Sequence, residues 1–350
     1  MHYIQLLCRW SLLAWLAAVA THAAAAEEVT ARAMKLYEKH YYEEAARLLR
    51  PQLQALDSDS QPAARLTLGM IYLRSAELYQ GLQNTALLIE QDYLKKLAGQ
   101  KGAGASRHAD FFLGQALREE GKYAESVKHL QRFLAQAAGS PLRTDASLEL
   151  GMAYWQQKQK QQAQAQWDGV AASQPDDKAA LAAAYAVAGA QERNPLALAD
   201  GAAGAAKKQG AAASARMNRS LLRAYSRGDA PEKALDLLAV NEFRSAAFVE
   251  NLGQSKSISF YDSGLLGDIA YAHLRAAVLY LEQAGRDAKL GATAAYFLTD
   301  AWLLLGNAEQ AQRQAGVFLA QAQMPAQYRD HARARQAAAQ YLAGKKSDAN

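Results

Sequence analysis

LELGMAYWQQKQKQQAQAQWDGVAASQP, from Leu148 to Pro175, decides the fold. It is rich in helix formers, yet Gly151 sits inside it, where glycine costs roughly 1 kcal/mol against alanine. A second stretch, FFLGQALREEGKYAESVKHLQRF from Phe111 to Phe133, shares its plan. Counting from Gly114 and Gly151, matching residues recur at plus three, twelve, sixteen and nineteen. They are Leu117, Ser126, Leu130 and Phe133 in one stretch, and Tyr154, Ala163, Trp167 and Val170 in the other. The residue at plus twelve is small in both. This spacing predicts a helix, a turn and a second helix, with the glycine facing the small residue where the two backbones approach closely. The larger residues fill the space around that contact. Pro175 then ends the second helix, because it cannot donate to the preceding turn. On this plan Gly151→Leu is strongly destabilising, through crowding near Ala163, and Gly151→Ala is mild.

The whole chain favours helix. Of its 350 residues 51% are hydrophobic, much of that alanine, and only 7 are proline. Runs of β-branched residues are nearly absent, so helix propensity dominates. Charged residues make up 21% with both signs mixed, and the net charge is +5. With no Lys/Arg block and no aromatic-studded basic stripe, nothing argues for nucleic acid.

Residues 1–26 form a separate object. Arg9 supplies a weak positive start, SLLAWLAAVA an apolar core, and THAAAAEE the small residues of a cleavage site within Ala23–Ala26. This reads as a secretory signal peptide, and the run is short and alanine-rich for a membrane anchor. Cys8 is the single cysteine. The expected mature chain therefore has no disulfide and no thiol chemistry. Export of a small-residue-rich helical protein fits the periplasm best, with no membrane span after cleavage.

Leu150, Gly151, Tyr154, Ala163, Trp167 and Pro175 resemble the tetratricopeptide repeat in register, and Leu113, Gly114, Gly121, Tyr123, Ser126 and Leu130 nearly so. Leu68, Gly69 and Tyr72 supply a third first-helix motif, and Tyr42 with Ala45 a second helix near the start. Trp302, Gly306, Ala311, Ala315 and Phe318 form another unit, with Thr299 where the glycine belongs. Tyr225, Gly228, Asp229 and Pro231 mark a looser one, Pro231 opening its next helix. The resemblance implies an all-α fold: an α-solenoid of antiparallel helix pairs in a tetratricopeptide-like superhelix. The Gly69–Gly114 and Gly114–Gly151 spacings differ, so the repeats are irregular.

The organisation expected is repeats over residues 27–195, an Ala/Gly-rich joint over 196–217, and repeats over 218–350. The joint is a pair of weak helices broken near Gly201–Gly204, or a linker. A long segment near 249–264 lacks helical period. It reads as an inter-repeat loop, with Asp262 or Ser263 capping the helix that follows, or as a functional loop.

Little chemistry is visible. His40, His108, His129, His273 and His331 form no metal-ligand spacing. His273 reads as a packing residue. No phosphate-loop or nucleophile-elbow motif appears, and the glycines at Gly102 and Gly104 follow no strand. Glu119-Glu120 and Asp176-Asp177 read as solvated or dipole-favoured charges. No enzyme activity, cofactor or metal is expected.

The resemblance implies a concave groove lined by outward residues of the first helices. Those positions are His108, Phe111, Gln115, Arg118 and Glu119, then Asp145, Leu148, Met152, Trp155 and Gln156. The earlier unit supplies Leu66, Met70 and Arg74, and the last unit Tyr296 and Asp300. Met152 and Trp155 are large apolar groups expected at solvent, or against a neighbouring repeat. The resulting expectation is a non-enzymatic periplasmic scaffold that binds another envelope protein through this groove. An accessory role in exopolysaccharide synthesis or export, or self-assembly by end-to-end stacking into homo-oligomers, are the alternatives.

Overall fold

The computed structural model describes residues 24–56, 58–98, 105–136, 138–140, 142–173, 221–227, 230–240, 247–251, 257–261, 263–321 and 326–347. Residues 1–23, Gly102, Gly104, Pro175, Asp176, Asp177, the 196–217 joint and the centre of the 249–264 segment lie outside the described residues.

The described chain is predominantly α-helical. Helices α1 (Ala24–Glu38), α2 (Tyr42–Leu49) and a 3-10 turn (Arg50–Ala55) lead into the long α3 (Gln61–Ala98). Helices α4 (Ala105–Glu119), α5 (Tyr123–Gln136), α6 (Arg143–Gln156) and α7 (Lys160–Ser173) follow. After helical residues 221–227 come α8 (Pro231–Val240), α9 (Ser263–Ala284), α10 (Gly291–Leu304), α11 (Ala308–Leu319) and α12 (Ala326–Ser347). Pro231 opens α8, where a missing N–H costs nothing. No described helix is long and apolar enough to cross a membrane.

Two compact units emerge. One comprises the chain up to Ser75 together with the chain from Ala276, and the other runs from Ala76 to Arg275. In the second unit α4 packs on α5, α5 on α6 and α6 on α7, while α4 also touches α6. In the first unit α1 packs on α2, α10 on α11, and α12 on both α10 and α11. The short turns that join α1 to α2, α4 to α5, α6 to α7 and α10 to α11 make those pairs antiparallel.

One turn geometry closes four of the pairs. His40 (φ 65°), Gly121 (φ 79°), Lys158 (φ 63°) and Gly306 (φ 70°) all adopt the left-handed conformation. In each, that residue's N–H donates to the carbonyl three residues back and the next N–H to the carbonyl five residues back. His40 and Tyr41 bond Tyr37 and Leu36, and Gly121 and Lys122 bond Arg118 and Leu117. Lys158 and Gln159 bond Trp155 and Tyr154, and Gly306 and Asn307 bond Leu303 and Trp302. This is the Schellman closure, which satisfies the last helix carbonyls.

The packing around the turns repeats as well. Seven residues before each turn stand Ala33, Gly114, Gly151 and Thr299. Twelve residues after those stand Ala45, Ser126, Ala163 and Ala311, and after sixteen Leu49, Leu130, Trp167 and Ala315. All eight of these second-helix residues are fully buried. Ser126 Oγ donates to Gly114 O at 2.6 Å. A Cβ built on Gly114 would lie 2.7 Å from Leu130 Cγ, and one on Gly151 2.6 Å from Trp167 Cε2. The expected close approach is therefore present, but Gly151 is crowded by Trp167 rather than by Ala163. In the last pair Thr299 and Ala315 reverse the sizes, so the bulk has moved from the second helix to the first.

Gly69 departs from the pattern. No turn follows it, and α3 continues to Ala98. A Cβ on Gly69 would meet Leu281 of α9, 2.7 Å from Cδ2. The Tyr72 and Tyr280 rings stack beside it, 5.9 Å apart and 13° from parallel. The helix that completes this motif lies far along the chain.

The segment near 249–264 is not simply a loop. Strands β1 (Ala247–Asn251) and β2 (Ser257–Tyr261) pair antiparallel, Phe248 opposite Phe260 and Glu250 opposite Ile258. The SISF run alternates with period two and carries β-branched and aromatic residues, a strand signal. The helix that follows begins at Ser263.

Candidate functional site

The densest group of charged side chains lies in the unit from Ala76 to Arg275. Arg118 and Glu119 end α4, Glu149 comes from α6, Arg223 from helical residues 221–227, and Asp268 from the start of α9. Arg118 Nε donates to Glu149 Oε2 at 2.5 Å, and its Nη2 pairs with Glu119 Oε1. Arg223 Nε donates to Asp268 Oδ2 at 2.6 Å and its Nη1 to Glu149 Oε1 at 3.2 Å. Arg223 Nη2 is 3.7 Å from Glu119 Oε1. No member of the group exposes more than 15% of its side chain.

Two guanidiniums thus stand among three carboxylates. Burial would lower the pKa of Arg223, but the charges of Asp268, Glu149 and Glu119 outweigh it and hold it well above the ordinary value. Burial likewise opposes the charge on Arg118, and Glu119 and Glu149 raise it overall. For Glu119 burial wins. It raises the carboxyl pKa against the pull of Arg118 and Arg223, with Asp268 and Glu149 adding to the rise. Both arginines stay charged, and the proton affinity of Glu119 is raised. The arrangement fastens four helical segments of this unit by charge. Among the described residues, no group of three or more His, Cys, Asp or Glu side chains is placed to hold a metal ion.

The groove positions expected from the sequence are distributed unevenly. Phe111 and Met152 are 4% and 6% exposed and belong to a core with Leu130, Phe133, Leu150, Tyr154 and Trp167. Gln115 and Leu148 are buried too. Of the two readings of Met152, solvent or a neighbouring repeat, its burial in this core fits the second. Trp155 is half-buried against the same core, its ring 6.4 Å from that of Trp167. Lys160 Nζ sits 5.2 Å from its ring centroid, and Gln156 beside it is exposed. Arg118 and Glu119 are held in the charge group, so the solvated reading of Glu119 does not stand. Glu120 pairs with Lys122 at 3.0 Å in the exposed turn. His108 lies in α4, but its side chain is outside the described residues.

The remaining positions fall in the other unit. Met70 and Leu66 are buried in α3. Tyr296 and Asp300 of α10 are engaged by α12. Arg335 clamps Asp300 with two hydrogen bonds, Nη2 to Oδ2 at 2.7 Å, and its guanidinium lies 4.9 Å from the Tyr296 ring centroid. The Tyr296 hydroxyl is 3.1 Å from His331 Nδ1. In the unit from Ala76 to Arg275, His273 is buried as expected, edge-on to Tyr79 at 5.5 Å.

Sequence reasoning missed Arg223 and Asp268. They stand 74 and 45 residues from Glu149 and Arg223 respectively, and no local spacing marks them.

The fold and these sites define a protein of packed antiparallel α-helix pairs. No protein-family model matches the chain, and no curated protein matches it significantly in sequence.

Proposed function

We propose that the chain is an exported, periplasmic, non-enzymatic scaffold of irregular tetratricopeptide-like repeats, forming an α-solenoid that binds another envelope protein. The observation that carries this reading is the recurrence of one design in four helix pairs: a left-handed Schellman turn with buried residues at fixed offsets before and after it. Stacked repeats of a single supersecondary unit leave an extended surface suited to a polypeptide partner. The point of engagement we assign is the exposed end of α6, where Trp155 presents part of its ring under Lys160 and Gln156 is open to solvent. A half-buried tryptophan with a cation beside it suits a partner segment carrying an apolar anchor and a carboxylate.

The test is site-specific photo-crosslinking in cells. A photoreactive residue at Gln156 is compared with one at Asp168, exposed on α7. A discrete envelope-protein adduct from position 156 alone supports the reading. No adduct, or the same adducts from both positions, overturns it. Fractionation of the same cells tests the compartment: recovery in the cytoplasmic fraction contradicts export.

A further inference from the structure

The turn that joins α6 to α7 is built from QQKQKQQ, Gln156 to Gln162. Its two lysines stand where the fold alone disfavours them. Lys158 holds φ 63°, the conformation that Gly121 and Gly306 take at the matching turns, and a Cβ makes that conformation strained. His40 takes it too, but there Tyr42 engages the ring, its hydroxyl 2.7 Å from Nδ1. The Lys158 side chain is exposed, and among the described residues no hydrogen bond or ion pair engages it. Lys160 opens α7, whose first turn holds no acidic residue, and a cation there opposes the helix dipole. Nearby carboxylates do not compensate. None stands between Glu149 and Asp168 in the sequence. Glu149 is taken by Arg118 and Arg223, and Asp168 accepts from Gln164 at 2.8 Å. The turn thus presents two cations with no ion pair among the described residues.

We infer that the partner segment seated at Trp155 is acidic, with carboxylates on both sides of its apolar anchor, one set for Lys158 and one for Lys160. This rests on the reading of the chain as a protein-binding scaffold, and it fixes the sign of the charge the partner brings. Strain held at an exposed position points to a residue kept for contact rather than for the fold. The turn fixes the Lys158 backbone, whose N–H donates to Trp155 O at 2.9 Å. Its charge therefore projects from a set point three residues from the half-buried ring. Gln156, Gln159 and Gln161 are exposed around it. Their amides both donate and accept, so they can bond a partner's backbone without adding charge. A neutral or basic segment would close over two unpaired ammonium groups, whereas an acidic one pairs them. Opposite charges also steer the encounter, so association weakens as salt rises.

Fluorescence anisotropy of labelled peptides with the full chain tests this. Each peptide has a central phenylalanine, flanked by aspartates, by asparagines or by lysines. The aspartate peptide binds at least about tenfold more tightly than the asparagine one, and the lysine peptide does not bind. Lys158→Gly and Lys160→Gln each weaken the aspartate peptide about two- to fivefold. Lys158→Gly does so while its melting temperature rises, so a damaged fold does not account for the loss. Lys122→Gln, in the turn between α4 and α5, leaves binding unchanged. Equal binding of the peptides, no binding at all, or lysine variants that bind like the wild type overturn the inference. Preference for oligogalacturonate or for phosphatidylglycerol vesicles over the aspartate peptide overturns it too, and assigns the lysines to an anionic glycan or a lipid surface. In cells, the adduct from position 156 falls when Lys158→Gly and Lys160→Gln are combined. An adduct that persists unchanged there overturns the inference and leaves the scaffold reading standing, whereas no adduct from the wild-type lysines removes the scaffold reading itself.

Discussion

Gly151 and Trp167 are in contact so close that the glycine has no room for a methyl group: a Cβ there would lie within 2.7 Å of both Cδ1 and Cε2 of the indole. Trp167 is fully buried, and its Nε1 donates to Leu148 O at 3.3 Å, so the ring has little freedom to retreat. Gly151→Ala is therefore expected to destabilise by about 1–3 kcal/mol, despite a helix-propensity gain of roughly 1 kcal/mol. This reverses the mild effect expected from the sequence. Urea denaturation measures it. A variant as stable as the wild type would show that the indole yields.

Lys158 adopts φ 63° with an exposed side chain, where the corresponding residues of two other turns are glycine. The left-handed conformation is strained for a residue with a Cβ. Lys158→Gly is expected to raise stability by roughly 0.5–1 kcal/mol. Gly306→Ala, at the matching position, is expected to lower it by about 1 kcal/mol. Thermal melts of the two variants should move in opposite directions, and a shared direction contradicts the common turn.

The charge group makes a pH-dependent prediction. Arg223→Met leaves three carboxylates facing one guanidinium and should cost about 3–5 kcal/mol at neutral pH. Glu119 behaves differently, because its folded pKa is raised by burial above the unfolded value. The folded state then holds the Glu119 proton more tightly. Its contribution to stability is fully present below the unfolded pKa and is lost as pH rises through the folded pKa. Glu119→Gln mimics the protonated form. Its stability relative to wild type should rise from pH 4 upward, measured by denaturation across pH. A flat difference would mean that Glu119 titrates as it does in the unfolded chain.

Arg335 and Asp300 pair α12 with α10 through two hydrogen bonds. A double-mutant cycle of Arg335→Ala and Asp300→Ala should yield a coupling of roughly 1–3 kcal/mol. Arg335→Lys should recover only part of it, since an ammonium cannot clamp both carboxylate oxygens. Additive single mutants would reduce the pair to a surface ornament.

The helix pairs around Gly114 and Gly151 were legible because everything that defines them lies within twenty residues. A glycine, a small residue and a large one at fixed offsets are a local signal. Exposure was less legible. Met152 sits at an outward position of its own pair, but it is buried in a core that also holds Phe111, Leu130 and Phe133 of the preceding pair. The strands β1 and β2 were half legible: the absence of helical period was visible, the period of two went unused. The charge group was invisible, since Arg223 and Asp268 acquire meaning only once distant helices meet.

Gly69 has a consequence for how the protein is made. Its packing partner, Leu281, emerges 212 residues later. At roughly 5–20 residues per second, the ribosome needs about 10–40 s to deliver it. Until then Leu68, Gly69 and Tyr72 have no second helix to close on, while α4 to α7 can pair as soon as they appear. The closing step must bring the ends of a very long loop together. The contact of Gly69 with Leu281 is thus a long-range closure that stepwise growth of repeats from one end does not supply.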